Sequence, residues 1–300
     1  MNFDKICPHC MCEIVDIGNG KCDMCGKLIG IVENRQYHLR PCTILQGKYM
    51  VGEVLGEGGF GVTYVGLDLN LEVKIAIKEF WISEYMTRNS GMSPQVNLLD
   101  IESKDSIEKW KSSFISEARY LAKCTKLDGI VSVRDYFQEN GTVYIIEEFL
   151  QGKTLKEYIE ICNGKIPPNV LLPSFKHIMI SLYEVHKNGV IHCDISPDNI
   201  MVLDEDGRMK LIDFGAARGQ EGLHNKNKVV MLKKGYAAEE LYRLDGEIGP
   251  WTDVYALAAT MYKCLTGNTL PDVFSRLQNG FDIRLRDSGI QINEELRCIA

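Results

Sequence analysis

The amino-acid sequence predicts an α+β chain preceded by a small zinc ribbon. Three observations carry this: strand-like runs crowd the stretch up to about residue 150, a helix-periodic run follows, and two Cys-x-x-Cys pairs stand at the N-terminus. Tyr49 to Leu55 is an apolar-polar run, Val62-Thr63-Tyr64-Val65 is rich in β-branched side chains, and Ile75-Ala76-Ile77-Lys78 is a third short run. Leu171 to Lys187 spaces its apolar residues for a buried helix, with Gly189 as its stop. Asp206-Gly207, between Ile200–Leu203 and Met209–Ile212, signals a hairpin.

The first element is the cysteine pair of pairs, Cys7-Pro8-His9-Cys10 and Cys22-Asp23-Met24-Cys25. Each places two thiolates on one tight turn, and two such turns complete a tetrahedral Zn²⁺ site. The 11-residue spacer leaves room for a small hairpin turning at Gly18-Asn19-Gly20. A redox dithiol is the competing reading, and Cys12 and His9 are substitute ligands. Five of the eleven cysteines lie in the first 25 residues and the others are scattered singly, which predicts a reduced compartment with one local metal site. Residues 1–30 form this module, and 31–48 read as a linker.

Gly56-Glu57-Gly58-Gly59-Phe60-Gly61 lies between two strand-like runs. Missing side chains there let backbone N–H groups approach phosphates. A dinucleotide-binding turn requires a helix directly after the glycines, and a β-branched run follows instead. Lys78 ends the next run, suited to α- and β-phosphates, and Glu117 lies in a helix-periodic stretch, Phe114 to Leu121, placed to pair with it. In Ile191-His192-Cys193-Asp194-Ile195-Ser196-Pro197-Asp198-Asn199, a carboxylate precedes an amide by five positions, and Asp213-Phe214-Gly215 follows. Asp194 can orient a hydroxyl and accept its proton, while Asn199 and Asp213 can hold Mg²⁺.

Taken in order, these parts resemble the protein kinase family, and most closely its bacterial-type Ser/Thr members, from about Tyr49 to the C-terminus. The resemblance implies a two-lobed fold over 49–300, with a β-rich N-lobe (49–150) and an α-helical C-lobe (151–300) that is expected to be C-terminally incomplete. It implies ATP and Mg²⁺ as cofactors, catalytic roles for Asp194, Lys78, Glu117 and Asn199, and nucleotide contacts from Gly56, Gly58, Gly61, Lys78, Asn199 and Asp213. Val143 to Gly152 resembles the fifth strand and adenine-gripping hinge, hence Glu148 and Leu150. Asp253, in Trp251 to Leu257, matches the residue that braces the catalytic loop, and Gly235 to Glu240 matches the end of the activation segment without its proline.

Some positions depart from the family pattern. Cys193 stands where many kinases carry an arginine that binds an activation-loop phosphate, and Asp213 to Glu240 contains no Ser or Thr. Both predict activity without phosphorylation of that segment. Ser196 replaces the usual lysine that neutralises the transferring phosphoryl, and Lys233 or Lys234, near where a threonine is usual, is a candidate replacement. Glu147, before the hinge, needs a partner. No later arginine is at hand for Glu240, and Gln291 to Ala300 reads as the start of a late helix.

The formal charge of -7 gives no reason to expect nucleic-acid binding. No run of 18 apolar residues and no signal-peptide core is present, so no membrane span and a cytoplasmic location are expected. The sequence reading is thus a Ser/Thr kinase acting on a protein substrate, with a possible protein partner for the ribbon. A pseudokinase or nucleotide-binding scaffold is the alternative.

Overall fold

The computed structural model describes residues 5–15, 20–30, 32, 34–89, 91–100, 103–124, 127–214, 232–243 and 245–279. The chain divides into two compact units, Met1–Thr125 with Ser132–Phe149, and Lys126–Val131 with Leu150–Ala300.

The first unit is built on an antiparallel sheet. Its strands are β1 (Ile44–Leu45), β2 (Tyr49–Gly58), β3 (Gly61–Asp68) and β4 (Val73–Phe80), with β5 (Met86–Thr87) and β6 (Asn97–Leu98) forming a separate ribbon before helix α1 (Lys104–Leu121); β7 (Val133–Glu139) and β8 (Thr142–Glu148) follow. The main sheet runs β1-β2-β3-β4-β8-β7. Alternation in β3 and β4 buries Val62, Tyr64, Ile75 and Ile77, and β8 adds Ile145 and Ile146. Helix α1 contributes Ile107, Phe114, Ala118 and Leu121, three to seven residues apart and so on one side.

The β5–β6 ribbon lies within the stretch from Glu84 to Asp105. The reason lies in Arg88, whose guanidinium turns inward to the fully buried Glu79 carboxylate. Tyr64 and Tyr144 hydroxyls each donate to the same carboxylate at 2.9 Å. A buried charge needs several such partners, and holding Arg88 in place requires an ordered backbone around it.

Residues preceding the sheet pack onto it. The Leu39 N–H donates to Tyr64 Oη (3.1 Å), the Tyr37 carbonyl accepts from Arg88 (3.0 Å), and the Tyr37 ring stacks on Trp81 at 5.1 Å. Further upstream, the turn holding Cys7 and Cys10 lies flat on β2. The Glu53 N–H donates to the Pro8 carbonyl (2.8 Å). A Cβ on Gly52 would stand 2.2 Å from Met11 Cε and 2.6 Å from the Pro8 oxygen, so only glycine admits this approach.

The second unit comprises β9 (Gly152–Thr154), α2 (Leu155–Ile161), α3 (Pro168–Lys187), β10 (Ile200–Leu203), β11 (Met209–Leu211), α4 (Pro250–Thr266) and α5 (Val273–Asn279). Thr154 and Glu157 cap α2 reciprocally. Helix α3 buries Leu171, Phe175, Ile178, Leu182 and Val185, and Gly189 at φ +75° ends its run. β10 and β11 pair as the hairpin signal predicts, Ile200 opposite Leu211, with Gly207 at φ +70° in the turn. Glu240 has a partner other than arginine: Thr252 Oγ1 on α4 donates to it at 2.5 Å. The readings for Gly18-Asn19, for Gly215 and the rest of the segment through 231, and for Gln291 to Ala300 lie outside the described residues.

Candidate active site

In the second unit, the site is organised by a buried carboxylate on α4. Asp253 accepts the backbone N–H groups of His192 (2.8 Å) and Cys193 (2.9 Å) and meets His186 Nε2 of α3 at 2.7 Å. Cys193 takes φ +65°, a conformation costly for a residue with a Cβ, and these two bonds hold it. Burial lowers the pKa of His192, so its ring stays neutral, and Nδ1 accepts the Asp194 N–H at 3.2 Å. The Phe214 ring packs on that imidazole at 4.3 Å.

Asp194 and Asn199 meet as their spacing predicts. Asn199 Nδ2 donates to the Asp194 main-chain oxygen (2.8 Å) and to its Oδ2 (2.7 Å). Burial pushes the Asp194 carboxyl above the ordinary carboxylate value, while Lys233 pulls it down. Lys233 Nζ lies 3.3 Å from Asp194 Oδ2 and 2.9 Å from Ser196 Oγ. The Asn199 carbonyl accepts the Ile212 N–H at 3.0 Å, which ties β11's end to the loop of Asp194 and Asn199 one residue before Asp213, itself at φ +60°. Since Nδ2 serves Asp194, the side-chain oxygen of Asn199 is the atom left for a cation. That oxygen and the Asp213 carboxylate are both hard oxygen donors, the type that suits Mg²⁺.

In the first unit, Lys78 sits on β4 opposite Thr63 and Ile145. Its Nζ is 3.6 Å from Glu117 Oε1, with both side chains nearly buried (8% and 6% exposed), and 5.5 Å from the Phe114 ring centre. Gly56 and Gly58 end β2 and Gly61 opens β3, with Gly58 opposite Gly61. Glu57 between them accepts from Arg35 (3.0 Å) and Tyr37 Oη (2.9 Å), with His38 Nε2 2.8 Å away. Glu147 is buried on β8 opposite Ala76 and is partnered there. Glu148 ends β8, its Oε1 accepting the Ser132 N–H at 2.8 Å, and Leu150 opens the second unit.

The four knuckle cysteines converge. All four sulfurs lie within 4.8 Å of one another, with Cys7–Cys25 at 3.8 Å and Cys10–Cys22 at 3.7 Å. A tetrahedron with Zn–S arms of about 2.3 Å has edges of about 3.8 Å, so the set fits Zn²⁺. Backbone N–H groups of His9 and Cys10 reach the Cys7 sulfur, and those of Met24 and Cys25 the Cys22 sulfur. Of the substitute ligands, Cys12 bonds a carbonyl and His9 is occupied at both nitrogens, by Glu53 (2.7 Å) and the Leu28 carbonyl (3.1 Å).

Sequence reading missed His186, Gly52, Glu53 and the partners of Glu57. Only Gly52 carries a signal, a glycine inside a strand-like run.

A protein kinase domain family model matches residues 49–279. Serine/threonine-protein kinase PknL of Mycobacterium tuberculosis is 28% identical over 227 residues, covering 75% of this chain and 51% of that protein. Serine/threonine-protein kinase F of Synechocystis is 28% identical over 269 residues (84% and 50%), and PrkC of Bacillus subtilis 30% over 227 residues (74% and 31%). The chain thus spans about half or less of the length of these relatives. The solved structure of PpkA-294 in its apo form superposes with a TM-score of 0.75 at 31% identity, covering 88% of this chain and 92% of that one.

Proposed function

The chain belongs to the protein kinase family, and we propose from there that it transfers the γ-phosphoryl of ATP to Ser or Thr hydroxyls of protein substrates. The observation that carries this reading is the Asp194–Asn199 pair on a loop braced by Asp253. Asp194 orients the acceptor hydroxyl and takes its proton. Lys78, fixed by Glu117, and the backbone at Gly56, Gly58 and Gly61 hold the phosphates. Glu148 and Leu150 contact adenine. Asn199 and Asp213 are the residues that would hold Mg²⁺, which when bound offsets phosphate charge. The test is phosphate transfer from ATP with Mg²⁺ to a panel of protein substrates. Asp194→Ala is expected to lose at least about a hundredfold in rate; an unchanged rate would remove Asp194 from the chemistry.

Residues 1–30 are assigned as a zinc-ribbon module with structural Zn²⁺ on Cys7, Cys10, Cys22 and Cys25, 31–48 as the linker, and 49–300 as the kinase domain. A docked module of this kind also offers a surface to a protein partner. Elemental analysis of freshly purified, reduced protein is expected to find about one zinc per chain, and finding none would remove the metal. Activity is proposed to be independent of phosphate on the activation segment, since Cys193 cannot bind one. Phosphatase treatment should leave the rate unchanged; a large loss traced to Tyr236 would contradict this. No helix among the described residues is long and apolar enough to cross a membrane, and a cytoplasmic site of action is proposed from the free cysteines. Ser196 is the observation favouring the alternative, a nucleotide-binding scaffold, and the same transfer assay separates the two.

A further inference from the structure

We infer that Lys233 is the cation that neutralises the transferring phosphoryl, supplied from the activation segment to the place where Ser196 brings no charge. This deepens the proposed phosphoryl transfer and rests on it. Ser196 is fully buried two residues after Asp194, where the resembled Ser/Thr kinases carry lysine. Its hydroxyl is met by Lys233, which stands near the position where those kinases carry threonine. Hydroxyl and ammonium have exchanged chain positions, and the pair still meets at 2.9 Å.

The geometry favours Lys233 over its neighbour. The Lys233 carbonyl accepts the N–H groups of Tyr236 (3.1 Å) and Ala237 (3.0 Å). Gly235 lies in this turn at φ +84° and packs so close to Leu270 that a Cβ would stand 2.5 Å from the Leu270 oxygen. The backbone from which Lys233 extends is therefore fixed. Lys234 is exposed, and its charge bears on Asp272 instead.

An ammonium has three donors. Two of those of Lys233 face Ser196 Oγ and Asp194 Oδ2, and at 3.3 Å the carboxylate contact is longer than the roughly 2.7–2.9 Å of a tight charge-assisted bond. With 31% of its side chain exposed, Lys233 keeps a donor for a phosphate oxygen beside the group that takes the acceptor's proton. In the step, the acceptor oxygen bonds to Pγ and the bond from Pγ to the bridging oxygen breaks. Its electron pair leaves on ADP, and the hydroxyl proton passes to Asp194. Lys233 makes and breaks no covalent bond; it offsets charge as the phosphoryl moves.

The test is a swap measured on the full chain with ATP, Mg²⁺ and both dephosphorylated casein and the chain's own hydroxyls as acceptors, alongside wild type and Asp194→Ala. Lys233→Thr should lower kcat about a hundredfold, with KM for ATP within about threefold and the thermal midpoint retained. Adding Ser196→Lys to it should recover at least about tenfold, because the charge returns by the other route. Lys234→Thr should behave as wild type. An unchanged kcat in Lys233→Thr overturns the inference, and so does a loss that Ser196→Lys fails to recover, since that marks a structural contact. If Lys233→Thr does not fold, the double variant is compared with wild type directly, and a kcat below about one hundredth of wild type overturns it. Wild type no more active than Asp194→Ala overturns the proposed transfer and this inference together.

Discussion

The loop from His192 to Asn199 and the N-terminal cysteine module are both short segments held by a carboxylate, yet they are held differently. Asp253 is fully buried and accepts two backbone N–H groups of the loop. Glu53 reaches the module through side chains, His9 at 2.7 Å and Lys27 at 2.6 Å, with Lys27 half exposed. What fixes the module is instead a backbone bond from Glu53 to Pro8 and the absence of a side chain at Gly52. A buried carboxylate can dictate a strained backbone, whereas a partly exposed one adds little beyond the shape fit.

That contrast predicts a hierarchy of effects. Asp253→Ala leaves two buried N–H groups without acceptors, at about 1–3 kcal/mol each, and releases Cys193 from its left-handed conformation. It should lower stability by about 2–6 kcal/mol by the same reckoning, and abolish phosphate transfer; denaturant titration with the transfer assay checks both.

Gly52→Val comes next. Its added carbons meet Met11 and Pro8, so unit 1 should lose about 1–3 kcal/mol while zinc content stays at about one per chain. Loss of the metal with the docking would show that the knuckles do not hold together apart from β2.

The smallest change is expected for Glu53→Gln, below about 1 kcal/mol, since the Lys27 pair is screened. A loss as large as that of Gly52→Val would invert the ranking of shape over charge.

The two regions also differ in how much the sequence disclosed. Asp253 was legible through the family resemblance of the run from Trp251 to Leu257, and Asp194 and Asn199 because local spacing sets them. The four cysteines were legible for the same reason, each pair being one turn. Docking was not, because Pro8 and Met11 meet Gly52 across some forty residues, and nothing near either end announces the other. Likewise nothing near Arg88 in the chain announces its pairing with Glu79, whose carboxylate also takes the Tyr64 and Tyr144 hydroxyls. Lys233 and Lys234 were equivalent as letters, and the turn at Gly235 distinguishes them. Local chemistry is written in order along the chain, while packing depends on which distant surfaces meet.

Amide-resolved hydrogen exchange before and after zinc chelation tests the contrast most directly. With the metal gone, the knuckle that presents the Pro8 carbonyl should lose its shape, so the Glu53 amide is expected to exchange at least about tenfold faster, a change of about 1.4 kcal/mol in local opening. The amides of His192 and Cys193, held by Asp253, should keep their protection. Unchanged exchange at Glu53, or equal acceleration at all three amides, would contradict the account.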